Sequence, residues 1–493
     1  MNQLDISYFK WGKDYKKFHE SIRNLLDMKE IQFYMPFFSL YFYIHNTPLS
    51  HKKIDLDRRY FIKNIKEKIK ERYYNSNLII RGEIYDTRKN SLEEKELFCK
   101  SIPILDPIHA INNNYNLVNK NNYHLPGSYN YNTFSKINDI NNGAYIDVLC
   151  SFLFGKLTEH NILPCFALFY GSANGIGEYK YDITEEYDDY KIDKCFNRNI
   201  GRTFKLDIYL SDSEEEDSEE NSEEDPEEDS EEDSEDFQGS TDSLETSSYN
   251  SRMNEDYISK IQNLPVQLLF IEKLEGTLED YLLDENFREE VLLSCLFQVS
   301  FSLHYLQKYY EFTHNDLHIN NIMFSYTEKK YLYYKINNKY FKVPTYGIIF
   351  KIIDFGRAIF TYKNKIYMND AFSNHGEAGG QYYYPRQVNF HKETRLEKKI
   401  YPNYSFDMCR LSMTILEEIN MDKISHKTLS LLNHMCTDKY NQNYCQMEDD
   451  FSLYILISKN SENALPLDII NKAIFKGYRV KKKNFPLKSY YSL

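Results

Sequence analysis

The spacing of apolar and polar positions changes near residue 275 of this chain. Before that point, apolar runs of strand length dominate. Leu78-Ile79-Ile80-Arg81-Gly82-Glu83-Ile84-Tyr85 reads as a strand, a turn at Gly82 and a second strand. Glu96-Leu97-Phe98-Cys99-Lys100-Ser101-Ile102-Pro103 reads as the next, and Phe166 to Gly171 and Gln267 to Glu272 as two more. Between these runs, Ala144 to Phe154 repeats its apolar residues at helical spacing and predicts an amphipathic helix. After Gly276 the helical period takes over, in Thr277 to Leu283 and in a long stripe from Arg288 to Tyr310. Residues 322 to 350 predict an elaborated β-hairpin turning at Asn337-Asn338, and Ile348 to Ile353 is again strand-like.

This order predicts an α+β protein of two lobes. A small β-rich lobe with one helix spans 76–272, and a larger helical lobe spans 273–493. Residues 1–75 carry aromatic and Lys-rich helical patterns, such as Ile62 to Arg72, and predict an N-terminal helical extension without a readable motif.

Composition changes the picture in one place. The chain of 493 residues has a net charge of −14, which argues against a nucleic-acid partner. Yet residues 211–236 hold 18 Asp or Glu and no Lys or Arg, so the remaining residues together carry +4. The acidity belongs to an insert, 211–250, too charged and too poor in apolar residues to offset its ordering entropy; it predicts a disordered arm inside the small lobe. Its 211–236 stretch is a candidate docking arm for basic proteins. The near-neutral body gives no ground for expecting nucleic acid.

No run of 18 apolar residues occurs and Met1-Asn2-Gln3-Leu4-Asp5 lacks the regions of a signal peptide, so an intracellular protein without membrane contact is expected. The eight cysteines show no metal-like spacing and read as free thiols. The high Tyr and Phe content follows A/T-rich codon usage better than an aromatic recognition surface.

The chemistry concentrates in two segments, His314-Asn315-Asp316-Leu317-His318-Ile319-Asn320-Asn321 and Asp354-Phe355-Gly356. The first offers a carboxylate, Asp316, five residues from a candidate metal ligand, Asn321. The strand-like run before Asp354 would bring a second carboxylate to a strand end, where a Mg²⁺-bound nucleotide could meet it. Together the segments resemble the catalytic loop and D-F-G motif of eukaryotic-type protein kinases. The Asn-, Lys-, Ile- and Tyr-rich style resembles divergent kinase-like proteins of giant DNA viruses, which would put the chain in host cytoplasm or virion.

The resemblance implies a two-lobed protein-kinase-like fold and ATP- and Mg²⁺-dependent phosphorylation of serine or threonine in a protein substrate. By it, Asp316 orients and deprotonates the acceptor, Asn321 and Asp354 bind the metals, and His314 packs on Phe355 beside Gly356. Lys100 anchors phosphate and pairs with Asp147 of the predicted helix. Glu272 and Leu274 lie at the hinge, and with Gly82 complete the expected ATP-binding set. Asp407, in Tyr404 to Leu411, would bond the catalytic-loop backbone. Gly379 to Pro385 resembles the end of an activation segment, with Arg386 where the family has glutamate.

Three departures stand out. No G-x-G-x-x-G precedes Lys100; Asn315 replaces the arginine that captures activation-loop phosphate; and His318 replaces a lysine, leaving one hydrogen bond for the transferring phosphate. Two alternatives follow: a pseudokinase scaffold recruiting partners through its acidic insert, and a small-molecule kinase of the choline or aminoglycoside type, whose loop H-N-D-L-H-x-x-N also resembles.

Overall fold

A computed structural model describes residues 5–7, 15–33, 53–118, 124–211, 254–374, 376–384, 401–447 and 451–493. Its strands are β1 (Asp5–Ser7), β2 (Lys29–Gln32), β3 (Lys53–Asp55), β4 (Tyr60–Glu71), β5 (Leu78–Asp86), β6 (Ser91–Pro103), β7 (Phe169–Asp182), β8 (Phe204–Ser211) and β9 (Asn254–Glu272). The large lobe adds β10 (Gly276–Thr277), β11 (Ile322–Tyr326), β12 (Tyr331–Ile336), β13 (Lys339–Pro344), β14 (Ile348–Ile352), β15 (Ile359–Tyr362), β16 (Lys365–Met368), β17 (Arg479–Val480) and β18 (Tyr491–Ser492).

In the small lobe, an antiparallel sheet runs in the order β2-β7-β9-β6-β5-β4, with β8 paired to the far half of β9. One face buries Ile80, Ile84, Leu97, Cys99, Leu268 and Phe270. Behind it lies the helix Gly143–Glu159, capped by Asn142, whose Oδ1 accepts the Ala144 N–H at 3.0 Å. The expectation of an amphipathic helix is corrected here. All its residues but Gly143, Lys156 and Thr158 are buried, because Ala144 and Tyr145 join the small-lobe core while Ile146, Leu149 and Phe154 join the core that continues into the large lobe. A helix enclosed on both sides has no polar face to keep.

The expected helix at Ile62 to Arg72 is a strand, β4. Ile62 and Ile65 are both buried although three residues apart, a spacing that mimics a helix. Register shifts against β5 between Ile62 and Asn64, and again between Ile65 and Glu67, return both side chains to one face. The N-terminal segment is therefore not a helical extension: Tyr15–Leu25 is a helix, but β2 and β4 belong to the small-lobe sheet, and the boundary at 75 falls inside the β4–β5 hairpin.

The turn expected at Gly82 is also absent, since β5 runs unbroken from Leu78 to Asp86. A Cβ at Gly82 would lie 2.9 Å from Leu97 Cδ1 and 3.0 Å from the Asn64 carbonyl, so glycine serves close approach to the bulged β4. The acidic insert does not join β7 directly to β9. Two short helices, Tyr187–Tyr190 and Lys194–Asn199, and strand β8 come first; residues 212–253, which hold most of the insert, lie outside the described residues.

The large lobe is built on the helix Glu289–Tyr310, which packs Leu292, Leu296 and Leu303 in one core with Met408, Leu411 and Ile415 of the helix Phe406–Glu418. The hairpin at Asn337-Asn338 forms as expected: Ile336 pairs with Lys339, and Asn337 takes a left-handed φ of 50°. Strand β17 pairs with β13, and the basic residues that follow it, Lys481 to Lys483, are exposed. Among the described residues, no helix is long and apolar enough to cross a membrane.

Candidate active site

Strand β6 carries Lys100 opposite Leu269 of β9, at the face toward the helix Gly143–Glu159. Its Nζ lies 2.7 Å from Asp147 Oδ2 and 2.8 Å from Asp354 Oδ1. The other Asp147 oxygen accepts the Phe355 N–H at 3.0 Å, so one buried carboxylate fixes both the lysine and the residue after Asp354. The three charges move one another. Burial alone would depress the Lys100 ammonium, but Asp147 and Asp354 hold it above the ordinary lysine range. Burial pushes the Asp147 carboxyl up, with the nearby Asp354 charge adding to it, whereas Lys100 outweighs burial at Asp354 and draws it down to about 2.

The loop from Thr313 is anchored from below. Thr313 exchanges backbone hydrogen bonds with Ile359 at 2.9 and 3.0 Å. Asp407 accepts the His314 N–H on one oxygen and the Asn315 N–H on the other, both at 2.9 Å, as expected from the sequence. The His314 ring is fully buried; its Nε2 donates to the Ile353 carbonyl at 2.8 Å and its centroid lies 5.6 Å from that of Phe355. Phe355 in turn packs on Phe154 and Phe312, with centroids at 5.1 and 6.2 Å. Asn315 adopts φ 63°, a left-handed conformation that asparagine tolerates, and its Nδ2 donates to the Arg357 carbonyl at 3.0 Å. The asparagine thus ties the loop to the segment around Gly356.

Asp316 on this loop is half-buried and Asn321 is buried. Asn321 Nδ2 donates to the Asp316 carbonyl at 2.8 Å and lies 2.9 Å from His318 Nε2. That contact needs a neutral ring accepting at Nε2, and burial does lower the His318 pKa. Nε2 is therefore committed to orienting Asn321, and the single N–H of the neutral ring is the one on Nδ1.

Two expected nucleotide contacts also change. The Glu272 carboxylate accepts from Lys351 Nζ at 2.7 Å and from the Leu168 N–H at 3.0 Å, which commits it to joining β9 to β14. Leu274 is buried at the hinge. Gly82 lies in mid-strand, and the hairpin end next to Lys100 is the turn Arg72–Asn77, where Asn77 Oδ1 accepts the Ser101 N–H at 3.0 Å. This turn holds no glycine and is pinned from outside. Lys180 Nζ on β7 donates to Glu71 Oε1 and to the Arg72 carbonyl, both at 2.9 Å, and its N–H donates to Ser76 Oγ at 2.8 Å. Tyr73 O–H donates to Asp256 at 2.7 Å. The Asn75-Ser76-Asn77 cluster between two strand-like runs is a turn signal that could have located it.

Sequence reasoning also missed Arg357 and the connection before the helix Gly143–Glu159. Arg357 Nη1 lies 3.8 Å from Asp316 Oδ1, and Nη2 lies 3.4 Å from Glu377. Lys136 Nζ meets Asp370 Oδ2 at 2.5 Å, and Asn141 takes the N–H groups of Asp370 and Met368 at 2.9 and 3.3 Å. The segment after Gly356 is thereby held to the N-terminal end of the helix that carries Asp147. Further on, Gln381 is buried and Tyr382 half-buried, and the Gln381 carbonyl accepts from Ser458 of the helix Phe451–Asn460 at 3.1 Å; Pro385 and Arg386 lie outside the described residues.

A seven-stranded antiparallel sheet backed by one helix, over a helical lobe that supplies an Asp407-anchored loop and Asp354, is a protein-kinase-like arrangement of helix and sheet. Local sequence similarity points to the same superfamily. The chain is 43% identical over 89 residues to a Dictyostelium discoideum protein and 38% identical over 108 residues to an Acanthamoeba polyphaga mimivirus protein, both provisionally described as serine/threonine-protein kinases. These matches cover 16% and 20% of this chain but 7% and 24% of the relatives, so the chain spans under a quarter of each relative's length. A solved structure, the ROP18 kinase domain in complex with AMP-PNP and sucrose, aligns with 85% of this chain and 83% of its own at 10% identity and a TM-score of 0.28. No family model matches.

Proposed function

We propose that this chain is an ATP- and Mg²⁺-dependent protein kinase acting on serine or threonine. The observation that carries the reading is Lys100 held between Asp147 and Asp354 at 2.7 and 2.8 Å, above a loop whose backbone Asp407 fixes. A phosphoryl group passes between two oxygens held in line, so the protein's contribution is positioning and charge. Lys100 would hold nucleotide phosphate, and Asp316 would orient the acceptor hydroxyl and take its proton.

Mg²⁺ would neutralise charge developing on the phosphates. The residues present suit it: Asp354 Oδ2 and Asn321 Oδ1 are hard oxygen donors left over from the hydrogen bonds described above, and Mg²⁺ characteristically takes its remaining ligands from water and phosphate. A protein acceptor is supported by the segment at Gln381, whose carbonyl accepts from Ser458 of the helix Phe451–Asn460 at 3.1 Å and which would seat an extended peptide.

Incubation of the full chain with γ-labelled ATP, Mg²⁺ and generic acceptor proteins, beside an Asp354→Ala control, tests the reading. Labelling by the wild type and its loss in the control is the expected result. Equal labelling by both, or labelling of amino alcohols and sugars alone, would sink it.

A further inference from the structure

From Thr313 to Ile322 the loop holds no lysine or arginine, and Nε2 of its His318 faces Asn321 Nδ2 at 2.9 Å. Arg357, directly after Gly356, stands on the other side of Asp316 with Nη1 3.8 Å from Oδ1. Its backbone is fixed, because the carbonyl accepts from Asn315 Nδ2 at 3.0 Å. The asparagine in the place of the loop's usual arginine therefore seats a different arginine.

We propose that Arg357 is a catalytic residue that supplies, at the transferring phosphoryl group, the positive charge that no lysine or arginine of the loop provides. This rests on the kinase reading above. A separation of 3.8 Å exceeds the roughly 2.7–2.9 Å of a charge-assisted hydrogen bond, so Asp316 does not consume the guanidinium's donors. The planar fork matches two phosphate oxygens. The Arg357 side chain is 30% exposed, open to an incoming anion, and its second neighbour Glu377 is 69% exposed, a surface pairing that competes weakly.

In the step itself, the acceptor oxygen bonds to the γ-phosphorus and the bond from that phosphorus to the bridging oxygen breaks, its electron pair leaving with ADP. The hydroxyl proton goes to Asp316. Arg357 neither gains nor loses a proton; it draws negative charge from the equatorial oxygens as the bond transfers.

Steady-state transfer by the full chain, with ADP binding measured separately by calorimetry, tests this in wild type, Arg357→Gln and Arg357→Lys. Arg357→Gln should lose roughly 100-fold in kcat, the scale of one removed transition-state donor, with ADP affinity within about threefold. Arg357→Lys should fall between, and millimolar guanidinium should restore part of the Arg357→Gln rate but not change the wild type. A kcat for Arg357→Gln within about twofold of wild type would overturn the proposal, as would an increase, which would mark Arg357 as a restraint on Asp316. If the wild type transfers no phosphate while binding ADP, the kinase reading fails first and this assignment falls with it.

Discussion

The floor of the site and its roof are held by different means. The floor, from Thr313 to Asn321 and Asp354 to Arg357, is fixed from inside: Asp407 takes two backbone N–H groups, His314 bonds the Ile353 carbonyl, and Asp147 takes the Phe355 N–H. The roof, Arg72–Asn77, is fixed from outside by Lys180, Ser101 and Asp256. The anchors that set the positions of Asp316 and Asp354 gain from burial, where a hydrogen bond is not diluted by water. The Arg72–Asn77 turn is tethered instead by half-buried and exposed groups, and cross-strand restraint takes the place of glycine. The difference teaches that a missing glycine loop need not mean a lost roof.

The largest expected effect comes from the cation joining the two. Lys100→Met should lower transfer by more than about 1000-fold and, because Asp147 is left buried beside Asp354 without its counter-ion, should cost about 2 kcal/mol in chemical denaturation. Asp407→Asn removes one of two backbone acceptors from the floor. It should cost about 2 kcal/mol and reduce kcat while leaving the KM for ATP near wild type. Lys180→Met should act in the opposite sense, raising that KM several-fold with kcat nearly intact, since it loosens only the roof. A kcat loss for Lys180→Met equal to that of Asp407→Asn would erase the distinction.

The smallest effect is one of pH. The folded state binds a proton at His318 less readily than the free ring at 6.5, so the unfolded chain takes up more protons as pH falls. Stability should therefore decline below about pH 6.5. His318→Asn, compared with wild type in urea melts from pH 7.5 to 5, should flatten that part of the decline; an unchanged slope would mean that the ring is not held neutral.

The floor was legible in the sequence because its chemistry needs fixed residue types at fixed spacing. Asp316, Asn321, Asp354 and Asp407 could be picked out for that reason, and Lys100 and Asp147, chosen on strand and helix pattern, are 2.7 Å apart. The roof was not, because its restraints join residues about 100 positions apart, such as Lys180 to Ser76, and no local spacing encodes them. Strand β4 misled for a related reason: its bulges depend on the partner strand, so the three-residue spacing of Ile62 and Ile65 looked helical alone. The commitments of Glu272 and His318 were hidden likewise, since a side chain's partner is a tertiary fact.

The most direct test of the account is a single-turnover measurement of γ-phosphate transfer from Mg-ATP to protein by the full chain and by Asp316→Asn, with ADP affinity recorded for both. The account expects transfer by the wild type, a loss of about 1000-fold or more in the variant, and equal ADP affinity. Wild-type and variant rates that coincide, or ADP binding with no transfer by either, would contradict it.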